Sequence, residues 1–317
     1  MIHEDTRRGT KEPLRREMIH EDARRGTKKI KPFLKWAGGK TQLLEQYAPL
    51  FPREFNGYHE PFVGSAAVYL RLCGLSAADP LRSPLNRVRL TDSNDELINA
   101  YRAVRDNPQL LITLLADHKR LHDQAHYYQV RAQKPNALSP IERAARLIYL
   151  NKTCFNGLYR VNRAGQFNVP MGRYQNPGLF DAEDLQRVSR ALQRVELEVM
   201  DFRSVVQHAR RGDFVYFDPP YLPVTRTAHF TRYTDQPFGE AQQCELAEVF
   251  RALDRQGCCV MLSNSWTPFI LELYRDFNCI EVKAARAINS KAAGRGRVSE
   301  VVVVNYDVGD IEMRQTG

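Results

Sequence analysis

Phe214-Val215-Tyr216-Phe217-Asp218-Pro219-Pro220-Tyr221 organises the reading of the whole chain. Four apolar residues in a row, three of them aromatic, suit a short strand buried on both faces. The run stops at a carboxylate followed by two prolines, which cannot donate to a β-ladder. In an open α/β sheet the ligand crevice lies at such carboxyl ends. Asp218 offers a charged acceptor there. The fixed φ of the prolines lets the Pro219 carbonyl be held in one direction, and Tyr221 presents a flat π-face. Two rigid acceptors aimed at one point suit an exocyclic NH2 group, with the aromatic ring beneath its base. Taken alone, the tetrapeptide is equally an acidic turn that ends a strand.

Strand-like and helix-like segments alternate on both sides of this run. Strands are expected at 58–63, 88–91, 196–200, 213–217, 258–262, 279–282 and 300–306. Helices are expected from Gly64-Ser65 to about Cys73 and at 182–195, 240–255 and 268–274. Such alternation points to an α/β fold built on a doubly wound, mainly parallel sheet. From Asp95 to about Arg146 the period becomes helical, with Leu97, Ala100, Tyr101 and Val104 three and four residues apart. Residues 95–180 therefore read as an inserted helical domain beside the strand ends, and 32–94 with 181–317 as the domain that carries the sheet. Residues 1–31 read as a disordered basic tail, in which Met1 to Lys11 recurs as Met18 to Lys28 with Ala23 in place of Thr6. Its ten Lys or Arg against six Asp or Glu leave too little apolar surface to offset ordering entropy. It is either a basic arm with non-specific affinity for phosphate or a duplicated translation start with Met18 as second initiator.

The 317 residues, 43% of them apolar, suffice for one large domain or two smaller ones. No run approaches the roughly 20 apolar residues of a membrane span, and the N-terminus lacks a secretory apolar region. An intracellular protein of the cytoplasm and nucleoid is expected. Six cysteines without a C-x-x-C pair read as buried free thiols in a reducing compartment, with no structural zinc and no other metal. A net charge of +9 and a pI near 9.3 point to a polyanionic partner.

Three further motifs carry chemistry. Lys35-Trp36-Ala37-Gly38-Gly39-Lys40-Thr41 ends like a phosphate-binding loop, but that loop needs glycine at position 34, where Leu34 stands. Its glycines allow close backbone approach, and Trp36 and the lysines offer stacking and charge. Glu60-Pro61-Phe62-Val63-Gly64-Ser65-Ala66-Ala67 is a strand, a tight turn and a helix start, which aims N–H groups at a polar ligand. Asp92, at the next strand end, is either an acceptor for ribose hydroxyls or part of a helix cap in Asp92-Ser93-Asn94-Asp95. Residues 151–174 are rich in Asn, Gly, Arg and aromatics and are too long for an idle connector; Asn and Arg match base edges in the major groove. The stretch 286–297, with Lys291 and Arg295, reads as a mobile basic loop for phosphates.

In their order along about residues 32 to 306, these motifs resemble the DNA adenine methylase (Dam) family of S-adenosylmethionine-dependent enzymes, which methylate adenine N6 in duplex DNA. The motifs are Lys35 to Lys40, Glu60 to Gly64, Asp92 with Asn94, Asn156 to Leu158 with Arg160 and Asn162, Phe167 to Pro170, and Asp218 to Tyr221. The resemblance implies the class I methyltransferase fold, Rossmann-like with a mainly parallel seven-stranded sheet, and a helical target-recognition domain at 95–180. It implies S-adenosylmethionine as cofactor, lined by Trp36, Lys40, Glu60, Phe62, Gly64, Asp92 and Asp218, with Asp92 on the ribose and Gly64 beside the methionine portion. Asp218, Pro219, Pro220 and Tyr221 would be catalytic, acting on a flipped base by direct in-line transfer. Lys35, Phe155, Asn156, Leu158, Arg160, Asn162 and Pro170 would contact DNA. Of these, Lys35, Leu158, Arg160 and Pro170 match positions that read GATC, and Phe155 matches an aromatic that inserts beside the target pair. The partner implied is double-stranded DNA, engaged by a monomer away from any membrane; a cognate restriction endonuclease would be a functional rather than physical partner.

Two residues depart from the family pattern. Ala66 replaces the second glycine of the cofactor turn and tightens that approach, and Phe155 lacks a hydroxyl that many relatives carry there. Two other readings stay open: a methyltransferase acting on RNA or a protein amide, and a non-catalytic DNA-binding module. The loop around Arg160 speaks against the first and the intact tetrapeptide against the second.

Overall fold

The structure, a computed structural model, describes residues 29–36, 38–78, 85–174, 177–221, 238–285 and 297–309. The repeated tail through Lys28, Ala37 and the basic loop at 286–296 lie outside the described residues.

Among the described residues seven strands form one sheet: β1 (Tyr58–Glu60), β2 (Val88–Asp92), β3 (Val195–Val199), β4 (Phe214–Phe217), β5 (Cys259–Ser265), β6 (Asn278–Ala285) and β7 (Arg297–Val304). Their order is β3-β2-β1-β4-β5-β7-β6. Pairs from β3 through β5 are parallel, and β7 lies antiparallel between β5 and β6. This is the α/β, mostly parallel seven-stranded sheet that the resemblance implies.

Burial accounts for strand position. All four residues of β4 are buried, as a central strand covered on both faces requires. In β7, Val301 and Val303 join the core on one face with Phe217 and Leu262, while Val302 and Val304 join the other with Tyr216 and Met261. Edge strand β3 buries Val195 and Leu197 and turns out Glu196 and Glu198, both paired with Arg89. Charges on that outer strand discourage pairing with another chain.

The helices are α1 (Ala67–Ala78), α2 (Asp95–Asp106), α3 (Pro108–Arg120), α4 (Gln124–Ala132), α5 (Pro140–Thr153), α6 (Ala182–Leu192), α7 (Glu240–Arg255) and α8 (Pro268–Leu273), with single turns such as Leu44–Tyr47 between them. The continuous helical block expected from Asp95 is divided by its own punctuation. Pro108 opens α3, the Asp123 carboxylate caps α4 at His126 N (2.7 Å), and a Ser139–Glu142 capping box with Pro140 opens α5. Strand β1 stops at Glu60 rather than Val63, because Pro61 has no N–H for the ladder. Helix α6 ends at Leu192, and Val195, expected to close it, starts β3. Helix α5 runs to Thr153, so Asn151 sits in its last turn and not in the loop that follows.

Helix α2 joins the two layers. Its buried stripe includes Leu97, Ala100, Tyr101 and Val104, the residues read from periodicity. On the sheet side Arg102 and Arg105 donate to the Leu197 and Val195 carbonyls of β3. A single core cluster then continues from Leu90 and Tyr216 through α2 to Leu115, Tyr127 and Leu147 of α3, α4 and α5. Among the described residues no helix is long and apolar enough to cross a membrane. All six cysteines are unpaired; Cys154 and Cys258 are buried, whereas Cys244 is exposed on α7.

Candidate active site

At the end of β4 the Asp218 carboxylate meets Lys40, whose Nζ lies 2.7 Å from Oδ1; the two side chains are 19% and 4% exposed. Lys40 Nζ also donates to the Gly38 carbonyl (2.6 Å) and stands 4.5 Å above the Tyr221 ring. Ser263 of β5 donates to the same Asp218 oxygen at 3.0 Å. Burial pushes the Asp218 carboxyl above its ordinary range, opposed by the Lys40 ammonium and Ser263. The Tyr221 hydroxyl donates to Glu300 of β7 at 2.7 Å. The Pro220 carbonyl accepts from Gln243 Nε2 of α7 (3.1 Å), whose own oxygen accepts from Asn264 of β5 (2.9 Å). Each polar group of the tetrapeptide named here is thus aimed by a different element.

A second cluster forms where β1 and β2 end. Gly64 has a φ of 45°, and a Cβ there would stand 3.1 Å from Trp36 Cδ1. Only glycine lets the indole lie this close to the turn. Asp92 accepts from Gly64 N (3.3 Å) and Asn94 N (3.0 Å), and Tyr101 of α2 donates to the Gly64 carbonyl (2.9 Å). Burial lifts the Asp92 carboxyl to about 6 against those backbone donors. The cap of α2 is Asn94, whose Oδ1 accepts from Leu97 N at 3.2 Å, so the capping reading belongs to Asn94 and not Asp92. Ala66 adopts a φ of 53°. The departure from glycine therefore places a Cβ in the left-handed region, at a cost on the order of 1 kcal/mol.

The remaining residues expected around a cofactor are spread more widely. Trp36 stacks on Tyr159 (5.3 Å between centroids). Phe62 packs against Phe202, Phe217 and Phe238 on the other face of the sheet. Glu60 points into the core, accepts from Tyr58 OH at 2.8 Å and is pushed by burial to about 8. At neutral pH it is mainly a neutral acid.

The residues expected to face DNA gather around Asn151. This fully buried side chain accepts from Lys35 N (2.8 Å) and donates to the carbonyls of Lys35 (2.7 Å) and Gly157 (3.0 Å), stapling the two segments together. Gly157 has a φ of 65°, and a Cβ there would meet Lys35 Cδ at 2.8 Å. Lys35 Nζ lies 4.7 Å from the Tyr174 ring, and burial, with Lys35 nearby, lowers Lys152 to about 8. Phe155, half exposed, bonds through its N–H to the Pro170 carbonyl (2.9 Å). Asn156 is exposed at a φ of 55°, and Leu158 packs partly on the core. Arg160 and Asn162 stand apart on a hairpin closed by the Val161–Phe167 bridge. Asn168 holds one edge of the Arg160 guanidinium (Nε to Oδ1, 2.7 Å), while the Asn162 oxygen caps the hairpin turn at Ala164 N and Gln166 N. The 35–40 segment serves both sides, with Lys35 on this wall, Trp36 at Gly64 and Lys40 at Asp218.

Sequence reasoning missed Asn151, Tyr101, Ser263, Gln243, Asn264 and Glu300. For Gln243 a signal existed: with Leu246, Ala247 and Phe250 it lies on the buried stripe of α7, where an unpaired amide would be costly.

A family profile described as D12 class N6 adenine-specific DNA methyltransferase matches residues 36–288. The chain is 42% identical over 283 residues to the type II methyltransferase M1.LlaDCHI of Lactococcus lactis subsp. cremoris, covering 87% of this chain and 96% of that protein. To the type II methyltransferase M.MjaIII of Methanocaldococcus jannaschii it is 40% identical over 298 residues (88% and 100% covered). To the DNA adenine methylase of Haemophilus influenzae it is 33% identical over 282 residues (87% and 94%). The matched span takes in the Lys40–Asp218–Tyr221 corner, the Gly64–Asp92 turn and the Arg160 hairpin alike, and the chain belongs to the D12 class of N6 adenine-specific DNA methyltransferases, enzymes that methylate adenine N6 in DNA with S-adenosylmethionine.

Proposed function

We propose that the protein methylates the adenine of GATC sites in duplex DNA, everting the base so that it stacks on Tyr221 while its amino group donates to Asp218 and the Pro219 carbonyl. The observation that carries this reading is the corner at the end of β4, where the Asp218 carboxylate, held by Lys40 and Ser263, stands beside the Tyr221 ring held by Glu300. The N6 lone pair of adenine is delocalised into the ring, and inside a duplex N6 is unreachable. Eversion costs a few kcal/mol, and stacking on Tyr221 recovers about 1–3 kcal/mol of it. Two acceptors on the N6 hydrogens draw the nitrogen towards sp3 geometry and localise its lone pair. Positioning and fixed electrostatics supply most of the acceleration.

The residues present fit S-adenosylmethionine. Asp92 uses two of its roughly four acceptor positions on Gly64 and Asn94, leaving the others for vicinal hydroxyls. The Trp36–Gly64 contact forms a cradle that a Cβ would fill. Asp218 pairs with the Lys40 ammonium and Glu300 lies within its electrostatic reach, so two carboxyl groups face one cation, a balance that suits a sulfonium. Bound there, S-adenosylmethionine would supply an electrophilic methyl group: the N6–carbon bond forms as the methyl–sulfur bond breaks, neutral S-adenosylhomocysteine leaves, and the surplus N6 proton passes to solvent.

Residues 95–180 act in this reading as the target-recognition domain. Lys35, Leu158, Arg160 and Pro170 read the site, Asn156 lies beside them, and Phe155 wedges next to the target pair. Asn162 supports the hairpin that presents Arg160. Because Asn168 holds the Nε edge of Arg160, the outer edge is presented for bidentate contact to guanine. Arg160→Ala is expected to lower kcat/KM on the cognate site by about 10- to 100-fold and to relax one base position. Competition between cognate duplexes and single-base variants checks this; an unchanged ranking would count against the assignment.

The whole reading is tested by mapping methylated adenines in DNA from cells that lack other adenine methylation and express this chain. All modified adenines should fall within one four-base sequence. Modification of a different short sequence would remove only the GATC assignment, and absence of N6-methyladenine would remove the function.

A further inference from the structure

We propose that Glu300 is the positioning residue that sets the Tyr221 ring for the incoming base; the inference rests on Tyr221 being the stacking surface. Tyr221 follows two prolines beyond the end of β4, where no ladder hydrogen bonds orient it. Its ring must nevertheless present one face to a base, and a ring left to choose its own rotamer would lose that freedom on every binding event. The far end of the side chain, with the Tyr47 hydroxyl nearby, is tied by the 2.7 Å bond from its own hydroxyl to Glu300 Oε2, within the range of charge-assisted bonds.

The fold builds this contact deliberately. Strand β7 enters antiparallel between β5 and β6, which sets Glu300 opposite Ser265 and Val282. By the alternation of the strand, Glu300 lies on the face of Val302 and Val304, the face shared by Tyr216 and Met261. Ser263 lies on that same face of the adjoining strand and bonds Asp218. Neighbouring strands thus hold the first and last residues of the tetrapeptide, Ser263 on the carboxylate and Glu300 on the phenol. Lys40 lies against the ring face between these two carboxylates and pulls the Glu300 carboxyl back towards its charged, accepting form. Glu300 acts through Tyr221 and not on the base.

Single-turnover methyl transfer at saturating cofactor and duplex tests this in the full-length protein. Glu300→Ala should slow transfer about tenfold, the loss expected for one hydrogen bond to a charged group, with the KM for DNA changed less than twofold. Glu300→Gln keeps an acceptor oxygen and should regain most of the rate. Tyr221→Phe, which keeps the ring and removes the hydroxyl, should match Glu300→Ala, and the double variant should be no slower than either single. A duplex with 2-aminopurine at the target should fluoresce more with Glu300→Ala than with the wild type, because the everted base is stacked less. Losses that multiply in the double variant, or a Gln variant as slow as the Ala variant, would overturn the proposal. A wild-type rate in Glu300→Ala beside a slow Tyr221→Ala overturns this inference alone. Undiminished transfer by Tyr221→Ala overturns the stacking reading and the inference with it.

Discussion

Asp218→Ala should lower the single-turnover rate of methyl transfer by about a thousandfold, the scale seen when a preorganised group facing developing charge is removed. In the proposed mechanism attack makes the adenine nitrogen cationic, and the Asp218 carboxylate is the charged acceptor that meets it. A second effect accompanies the loss. Lys40, 4% exposed, would keep its charge in the interior without its partner, and breaking a buried pair from one side destabilises by about 3–5 kcal/mol. Asp218→Asn separates the two contributions, since it preserves shape and one acceptor oxygen while removing the charge. Transfer should fall nearly as far in Asn as in Ala, whereas thermal unfolding should be disturbed more in Ala. DNA binding measured without turnover should stay within a few-fold of the wild type, because Lys35, Phe155 and Arg160 lie on other elements. Near-normal transfer in either variant would remove Asp218 from the chemistry.

The sequence was legible where one residue type admits one physical solution, and opaque where several do. A buried aromatic run stopped by Asp-Pro-Pro reads as a strand end, and it stands at the centre of the sheet. The breaks at Pro108 and Pro140 were equally visible, yet a helical period read across them merged four helices into one block. The place of β7 between β5 and β6 has no local signature, so Glu300 could not be tied to Tyr221 from sequence. Asp92 and Asn94 are both short acceptors at a helix start, and only backbone geometry assigned the cap to Asn94. Asn serves turns and base edges equally well, so the turn that the Asn162 oxygen caps could not be read beside its expected DNA contact. Glu60, which only the resemblance places at the cofactor, shares a strand face with Tyr58 and accepts from its hydroxyl, a contact that spacing alone does not reveal.

Lys40→Met should slow transfer by about ten- to a hundredfold at neutral pH, and the loss should shrink as the pH rises. Burial already holds the Asp218 carboxyl above its ordinary range, with the Lys40 ammonium as the main opposing influence. An opposite charge in direct contact favours the ionised carboxyl, so its removal raises Asp218 further. A protonated Asp218 donates where the mechanism needs an acceptor. The active fraction therefore falls at any pH below the raised value and returns as the pH climbs through it, moving the acid limb of kcat to higher pH. Glu300 loses the same cation and moves in the same direction, which reinforces the shift. Lys40 also lies beside the cofactor residues, so the profile has to be taken at saturating S-adenosylmethionine, where weaker binding would lower the amplitude without moving the limb. Lys40→Arg retains the charge and should keep the wild-type limb even if the larger guanidinium crowds the Tyr221 face and slows the reaction. An acid limb left in place by Lys40→Met would mean that the ammonium does not hold Asp218 ionised, and the pair would then serve packing at this corner and not the protonation state on which methylation depends.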